Sequence, residues 1–440
     1  MSEHPIALST RMIDTGIADA PPNRITQELS ELADGVALIE SFSHVVAVDT
    51  GEGIVAFDSS SAQTGRKVVE SLRTWNGDPV HSIVYTHGHL DHVGGSRSFA
   101  REAIDRGRPV PRVLSHERVV SRLNRYAATS GYNQAINARQ FGGAARAAAE
   151  QIDRSFIPEG TLYPDLTYSD RHSERIGDVD FEHNYCKGET DDHTWTWIPQ
   201  YKMVCAGDQF IWNFPNCGNP QKVQRYPVEW AESLREMAAK EPELFVPAHG
   251  LPIAGKDRIA GCLSIVAETL EMLATQVLDA MNTGATLDEI LHSVSVPQDR
   301  LELPFLRPLY DEPEFVIRNI WRLYGGWYDG NPSRLKPPSD RAVGIEIAAL
   351  AGGVDSLVAR SSELSANGDH RLACHLIELA VSAEPEAYSV HEARSAIYTA
   401  RRQSETSLMA KGIFKSAAAD SKTILDGEAP KIKVVLALGE

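Results

Sequence analysis

Apolar and polar positions along this chain follow two different periods, and the change from one to the other divides it. Three short β-rich runs, VALIES, HVVAVDT and GIVAFDSS, lie between residues 36 and 60 with Gly and Asp between them, the pattern of a strand meander. Residues 63–75 read as a helix and SIVYTH at 82–87 as a further strand. The Ala- and Arg-rich stretch 97–155 reads as mostly helical or irregular. Within it the polar segment YAATSGYNQAINARQFGG, at 126–143, is expected to be either a lid or an ordinary surface loop. Strand signals return in VDFEHNYCKG, HTWTWIP and MVCAGD between 179 and 208, and in LFVPAH at 244–249. Two β-rich halves separated by helices predict two sheets packed face to face with helices outside, an α/β architecture.

From about residue 257 apolar residues recur at helical spacing. Helical signals dominate to about 420, broken by the Pro- and aromatic-rich piece at 304–332. The expected organisation is an N-terminal arm at 1–30, a catalytic domain at 31–256, an all-helical domain at 257–420 and a tail at 421–440. Residues 370–416 look like paired helices of a repeat, with two pairs at most visible.

Composition alters this picture only by exclusion. Apolar residues make up 42% and charged residues 23% of 440, an ordinary soluble balance in a chain too long for one core. A formal net charge of −17 argues against a nucleic-acid partner, because phosphate binding needs a basic face. No run approaches the roughly 20 apolar residues of a bilayer span, so no membrane association is expected. The start, MSEHPIALSTRMIDTG, lacks the basic and apolar regions of a signal peptide. The five cysteines, Cys186, Cys205, Cys217, Cys262 and Cys374, are scattered, odd in number and without a CxxC pair. That predicts no disulfide framework and fits a reducing cytoplasm.

Candidate chemistry concentrates in THGHLDHVGG at 86–95. His87 and His89 stand at a strand end, and Asp91 and His92 follow in the turn. Three imidazoles and a carboxylate within six residues crowd a single ion, but they serve two: His87 and His89 on one, Asp91 and His92 on the other.

This run resembles the HxHxDH motif of the metallo-β-lactamase superfamily without a gap. The resemblance implies an αββα sandwich and further donors downstream. Where the family usually reads GHT, this chain has KGETDDHTW at 187–195, so Glu189 stands in place of the usual His. Its position 19 residues before Asp208 suits two strands and a turn, and His193 is the competing candidate. Asp208 of CAGDQF matches the carboxylate that bridges both metals in the family, and His249 of PAHG matches another donor at a strand end. Asp58 of VAFDSS matches an Asp that supports the donors from behind; a helix N-cap is the alternative. The implied set is His87, His89 and Glu189 on one metal, Asp91, His92 and His249 on the other, and Asp208 between them. Asp91 and Asp208 would also serve catalysis. His193 would otherwise support the donors or meet substrate. Zinc suits these donors, and Mn or Fe is also compatible.

EPEFVIRNIWRLYGGWYDGNP at 312–332 and GDHRLACHLIELAVSAEP at 368–385 resemble the helical dimerisation domain of alkylsulfatases, and the Glu189 substitution fits that branch. The resemblance implies a homodimer hydrolysing a sulfate ester or related small ester with a metal-activated water. That branch usually carries Glu at the position of Asp208, and a third, sterol-carrier-like domain where this sequence has only KIKVVLALGE. Both differences turn the expectation away from long-chain alkyl sulfates. Lys222 and Arg225 are candidate sulfate contacts, and Tyr328, beside Trp327 and Asn331, would line the cleft or the dimer contact. The same fold also serves lactonases, thioesterases and β-lactam hydrolases, and would serve a non-catalytic oligomeric binding protein if donors were missing.

Overall fold

A computed structural model of the protein describes residues 3–143 and 155–427. The short apolar runs are strands. One sheet has seven, in chain order across the sheet: β1 Leu29–Ala33, β2 Val36–Ile39, β3 Val45–Asp49, β4 Ile54–Phe57, β5 Val80–Val84, β6 Arg112–His116 and β7 Leu166–Tyr168. The other has six: β8 Arg171–Ile176, β9 Val179–Cys186, β10 His193–Ile198, β11 Met203–Gly207, β12 Leu244–Pro247 and β13 Ile253–Ala254, again in order across the sheet. Pairing is antiparallel from β1 to β4 and parallel from β4 to β7. In the second sheet only β11–β12 is parallel.

Val36, Leu38, Val48, Val55 and Phe57 of the first sheet share one buried cluster with Phe181, Ile198, Met203, Cys205 and Val246 of the second. The sheets therefore face each other. Trp195, Val204, Ala206 and Phe245 point the other way, into a cluster built with helices Pro227–Ala239, Lys256–Asn282 and Pro313–Gly325. Helices Gly65–Trp75 and Ser96–Asp105 pack on the first sheet, which completes an αββα arrangement. Strands β2 and β4, covered on both sides, are buried at every residue, and such strands read as unbroken apolar runs.

The packing divides the chain into two compact units, residues 1–128 with 157–330, and residues 129–156 with 331–440. The boundary expected at 256 is displaced because the long helix Lys256–Asn282 buries Ile259, Leu263, Val266, Leu270 and Val277 in the first unit's core. That helix is also, by length and composition, apolar enough to cross a bilayer, contrary to the expectation that no segment approaches this. Half of its most apolar stretch is buried in the protein, and core packing accounts for its composition. The N-terminal arm contains a docked helix, Pro5–Thr15, whose Leu8 and Met12 belong to the same core. Strand β8 was not expected because its alternation is carried by charged and His side chains rather than apolar ones.

The second unit is helical. Helices Val354–Ala366, His370–Ala383, Tyr388–Gln403 and Leu408–Leu425 close around Leu357, Leu364, Ile377, Val390, Ile397 and Tyr398. Most of the polar 126–143 stretch belongs here: helix Ser130–Gln140 packs on Leu408–Leu425, so tightly that a Cβ on Gly412 would meet the Gln140 carbonyl. A helix built into a core replaces the expected lid or surface loop. Most of the expected tail, from 428 on, lies outside the described residues.

Candidate metal centre

The centre is assembled where several strands end. Strand β5 stops at Val84, and His87, Gly88 and His89 follow before the short helix Leu90–Val93. Strand β4 stops at Phe57, and Asp58 turns out of it with φ 62°, a left-handed conformation that Asp tolerates better than most residues. Its Oδ1 accepts the Thr86 backbone N–H at 2.8 Å, and its Oδ2 accepts the Thr86 hydroxyl at 2.8 Å and the His92 Nδ1–H at 2.7 Å. With the proton so placed, Nε2 of His92 presents its lone pair to the opposite side. Asp208 follows β11 through Gly207, where φ is 54° and a Cβ would fall 2.6 Å from the His193 ring. The Asp208 N–H in turn donates to His193 Nε2 at 3.0 Å. His249 leaves the end of β12.

Two donor groups result. His87, His89, Glu189 and Asp208 each offer an atom within 4.8 Å of one another, as do Asp91, His92 and His249. His87 Nε2 is 2.8 Å from His89 Nδ1, and both are 3.7 Å from Glu189 Oε2. His249 Nε2 is 3.2 Å and His92 Nε2 3.5 Å from Asp91 Oδ2. Asp208 Oδ2 lies between the groups, 3.9 Å from His87 Nε2, 3.4 Å from His92 Nε2 and 3.6 Å from His249 Nε2. Metal–donor bonds of about 2.0–2.2 Å imply tetrahedral edges of about 3.3–3.6 Å, close to most of these separations.

The buried atoms also fit cations. His92 Nε2, Glu189 Oε2 and Asp208 Oδ1 are buried without a hydrogen-bond partner, which is costly unless another group satisfies them. Burial holds His87 and His89 well below the ordinary imidazole range, hence neutral and able to donate lone pairs. Burial acts the same way on His92, but the carboxylates of Asp208, Asp91 and Asp58 raise it overall. That cluster of acids calls for positive charge, and two divalent ions would supply it.

Glu189 meets the centre with one oxygen only. Its Oε1 accepts from Arg225 Nη1 at 2.6 Å and from the Asn216 side-chain amide, leaving Oε2 to face the two histidines. Burial pushes this carboxyl above the ordinary range, against the pull of Arg225. His193 faces elsewhere: its ring stacks on that of His87 with centroids 5.0 Å apart, and Nε2 holds the Asp208 backbone. Glu189→Gln is therefore expected to lower metal content by about one ion per chain, whereas His193→Ala lowers turnover more than content. Metal analysis beside kinetics checks this, and the reverse pattern would move the donor to His193.

The expected sulfate contacts are rearranged. Arg225 is 3% exposed, and Nη1 also donates to the Asn216 carbonyl at 2.7 Å. Its guanidinium is engaged in orienting Glu189 rather than waiting for an anion. Lys222 is half-buried and feels the charges of Arg225, Asp91 and Glu189; burial, then Arg225, pulls its ammonium down to about 8. Tyr328 sits in the turn after helix Pro313–Gly325, where its carbonyl accepts from Trp321 Nε1 at 3.2 Å and its ring lies edge-on to Trp327. It is part of that turn. Three residues the sequence reading passed over do reach the centre. Asn216 binds Glu189, Tyr310 lies within electrostatic reach of Glu189 and Asp91, and Phe42, 40% exposed, stands edge-on to His249. The only signal for Tyr310 was its place in the Pro- and aromatic-rich piece, and none singled out the other two.

Residues 38–249 match the family model described as metallo-beta-lactamase superfamily, and residues 286–423 the one described as alkyl sulfatase dimerisation. The chain is 25% identical over 359 residues to the linear primary-alkylsulfatase of Pseudomonas sp. (strain ATCC 19151), covering 78% of this chain and 66% of that protein. It is 24% identical over 361 residues to the (R)-specific secondary-alkylsulfatase of Pseudomonas sp., covering 78% and 54%. The solved structure of the stereoselective inverting sec-alkylsulfatase Pisa1 from Pseudomonas sp. shares the fold, with a TM-score of 0.79 at 20% identity over 90% of this chain and 66% of that one. The chain thus spans between about half and two thirds of the length of these relatives.

Proposed function

This chain belongs to the metallo-β-lactamase superfamily, in its alkylsulfatase-like branch, and from that premise we propose that it is a two-metal hydrolase of a sulfate ester or related small ester. The observation that carries the reading is the pair of buried donor groups meeting at Asp208 Oδ2. His87, His89 and Glu189 would hold one ion, and Asp91, His92 and His249 the other, with Asp208 shared. Imidazole with carboxylate suits zinc, and Mn or Fe remains compatible. Bound ions supply Lewis acidity and water activation.

The protein's own groups do the rest. Asp58 holds His92 in the tautomer that presents Nε2, and Arg225 with Asn216 aims Glu189. Asp91 has a side chain 27% exposed, against 2% for Glu189 and 7% for Asp208. It is the carboxylate nearest the opening and the one placed to hold the proton lost by attacking water. An anionic sulfate ester needs a cation at that opening, and of the two candidates Lys222 takes the role, because Arg225 is paired with Glu189. A homodimer fits the dimerisation segment. The five free cysteines fit a cytoplasmic setting.

The test is a panel of short and branched alkyl sulfates, aryl sulfates, carboxyl esters, lactones and β-lactams on the metal-loaded full chain. Turnover of sulfates is expected. Good hydrolysis of lactones with every sulfate inert would overturn the sulfatase reading. Lys222→Ala is expected to raise KM for sulfates about tenfold with kcat nearly unchanged and neutral esters unaffected, the signature of lost uniform binding.

A further inference from the structure

Behind the donors lies an ion pair that the reaction above does not use. Arg122, on helix Arg118–Ala128, is 2% exposed and Asp192 is fully buried. The Arg122 Nε–H donates to Asp192 Oδ2 at 2.7 Å, and Nη2 donates to Asp191. A buried ion pair is a poor source of stability, because desolvating both charges cancels most of their attraction. Its position accounts for it better. The same Asp192 Oδ2 accepts the backbone N–H of Gly88 at 3.1 Å, and Gly88 is the residue between His87 and His89.

Contact at Gly88 is close enough that a side chain there would push on the pair. A Cβ would stand 2.9 Å from Arg122 Cδ and 3.0 Å from Asp192 Oδ2. The glycine between the two histidines thus lets the pair pack directly on the loop backbone. Asp192 also lies three residues after Glu189, in the segment GETDDH. A second tie joins the same two segments, since the Thr194 N–H donates to the Thr86 carbonyl at 2.6 Å. Fixing Asp192 on Gly88 therefore fixes the Glu189 segment against the His87–His89 loop. The other donor group has its own direct support, Asp58 on His92 Nδ1, whereas Asp58 reaches His87 only through Thr86.

We propose that Arg122 and Asp192 are positioning residues that set the metal affinity of the His87–His89–Glu189 group, separately from that of the Asp91–His92–His249 group. The inference rests on the two-metal reading. Outer partners of metal ligands typically govern affinity by about 10- to 100-fold, and a partner that holds two donor segments together acts on all three donors at once.

The experiment uses the full chain, stripped of metal and titrated with Zn(II) against a chromophoric chelator, so that two dissociation constants are read without reference to activity. Asp192→Asn keeps the shape and one acceptor but removes the charge. It is expected to weaken one of the two constants by about 10- to 100-fold and to move the other less than about threefold. Asp58→Asn, which touches His92 directly and His87 only through Thr86, is expected to weaken the other constant more. Combination assigns the sites: Asp192→Asn weakens the ion that remains in His249→Ala and leaves unchanged the one that remains in His87→Ala. Arg122→Ala strands a buried carboxylate and is the variant most prone to misfold. Gly88→Ala, which disturbs the contact without altering charge, is the second probe, with thermal unfolding of the metal-free protein read beside it. A merely structural role lowers the unfolding temperature and weakens both constants together. That result, or no change in either constant, overturns the inference while leaving two metals bound. A wild-type chain that takes up no Zn(II) at micromolar supply instead overturns the two-metal reading itself.

Discussion

Exchanging Asp208 for asparagine is expected to reduce turnover by roughly a thousandfold or more, because on the two-metal reading the change strikes both donor groups. Among the described residues, Asp208 Oδ2 is the one carboxylate oxygen within 4 Å of a histidine nitrogen from each group. Burial pushes this carboxyl up, but His92 and His249 pull it well below the ordinary range, so the native residue is a carboxylate. Asparagine preserves shape and halves the acceptor capacity without the charge. The two ions would then face each other with one fewer negative charge between them. Metal content is expected to fall toward one ion per chain while the fold persists, because the Asp208 N–H still donates to His193 and the strand register is untouched. Kinetics, metal analysis and circular dichroism on the same preparation check this. Full occupancy with less than a tenfold loss in turnover would remove Asp208 from the shared position.

Arg225→Ala is expected to lower folding stability of the metal-free protein by about 1–3 kcal/mol, because burial already favours the neutral Glu189 carboxyl, which then loses a buried hydrogen-bond partner. Glu189 and Arg225 are each 3% exposed, so water cannot replace the lost guanidinium. The carboxyl that burial already raises would rise further, and metal content should fall with it. Removing the charge from both sides discriminates this from simple loss of packing. Glu189→Gln with Arg225→Met is expected to recover most of the stability, since no carboxyl stays buried without its partner, and none of the metal binding. Chemical denaturation gives the stability and metal analysis the occupancy. A cost below about 1 kcal/mol for Arg225→Ala would mean that Glu189 does not depend on it.

The chain's own pattern made much of the fold legible. Strands β2, β3, β4, β5, β10, β11 and β12 are short, apolar and bounded by turn residues, because each is covered on one or both faces by its neighbours. The donor run His87–His92 was legible because its four donors lie within six residues of one strand end. Glu189, Asp208 and His249 became legible only through the family pattern, since a single Glu, Asp or His at a strand end carries no local signal.

Some features could not be read from one dimension. Strand β8 looks polar because its face is built from His172, Glu174 and neighbouring charges. The helix Lys256–Asn282 looks like the start of a new domain because helical period says nothing about which core a helix covers. Arg225 reads as a surface cation near an anion site. Only the fold shows that Asn216 and Glu189 close around it. Asp192 and Arg122 lie 70 residues apart, and their meeting on Gly88 is set by how a helix packs behind a loop. Periodicity and side-chain chemistry are local properties, so the chain alone carried most element types and the donor run His87–His92, and with the family pattern the class of chemistry. Which oxygen of Glu189 faces the histidines, which cation is engaged and what ties the donor segments together came only from the tertiary structure, because those depend on long-range packing and on where burial leaves a polar atom without a partner.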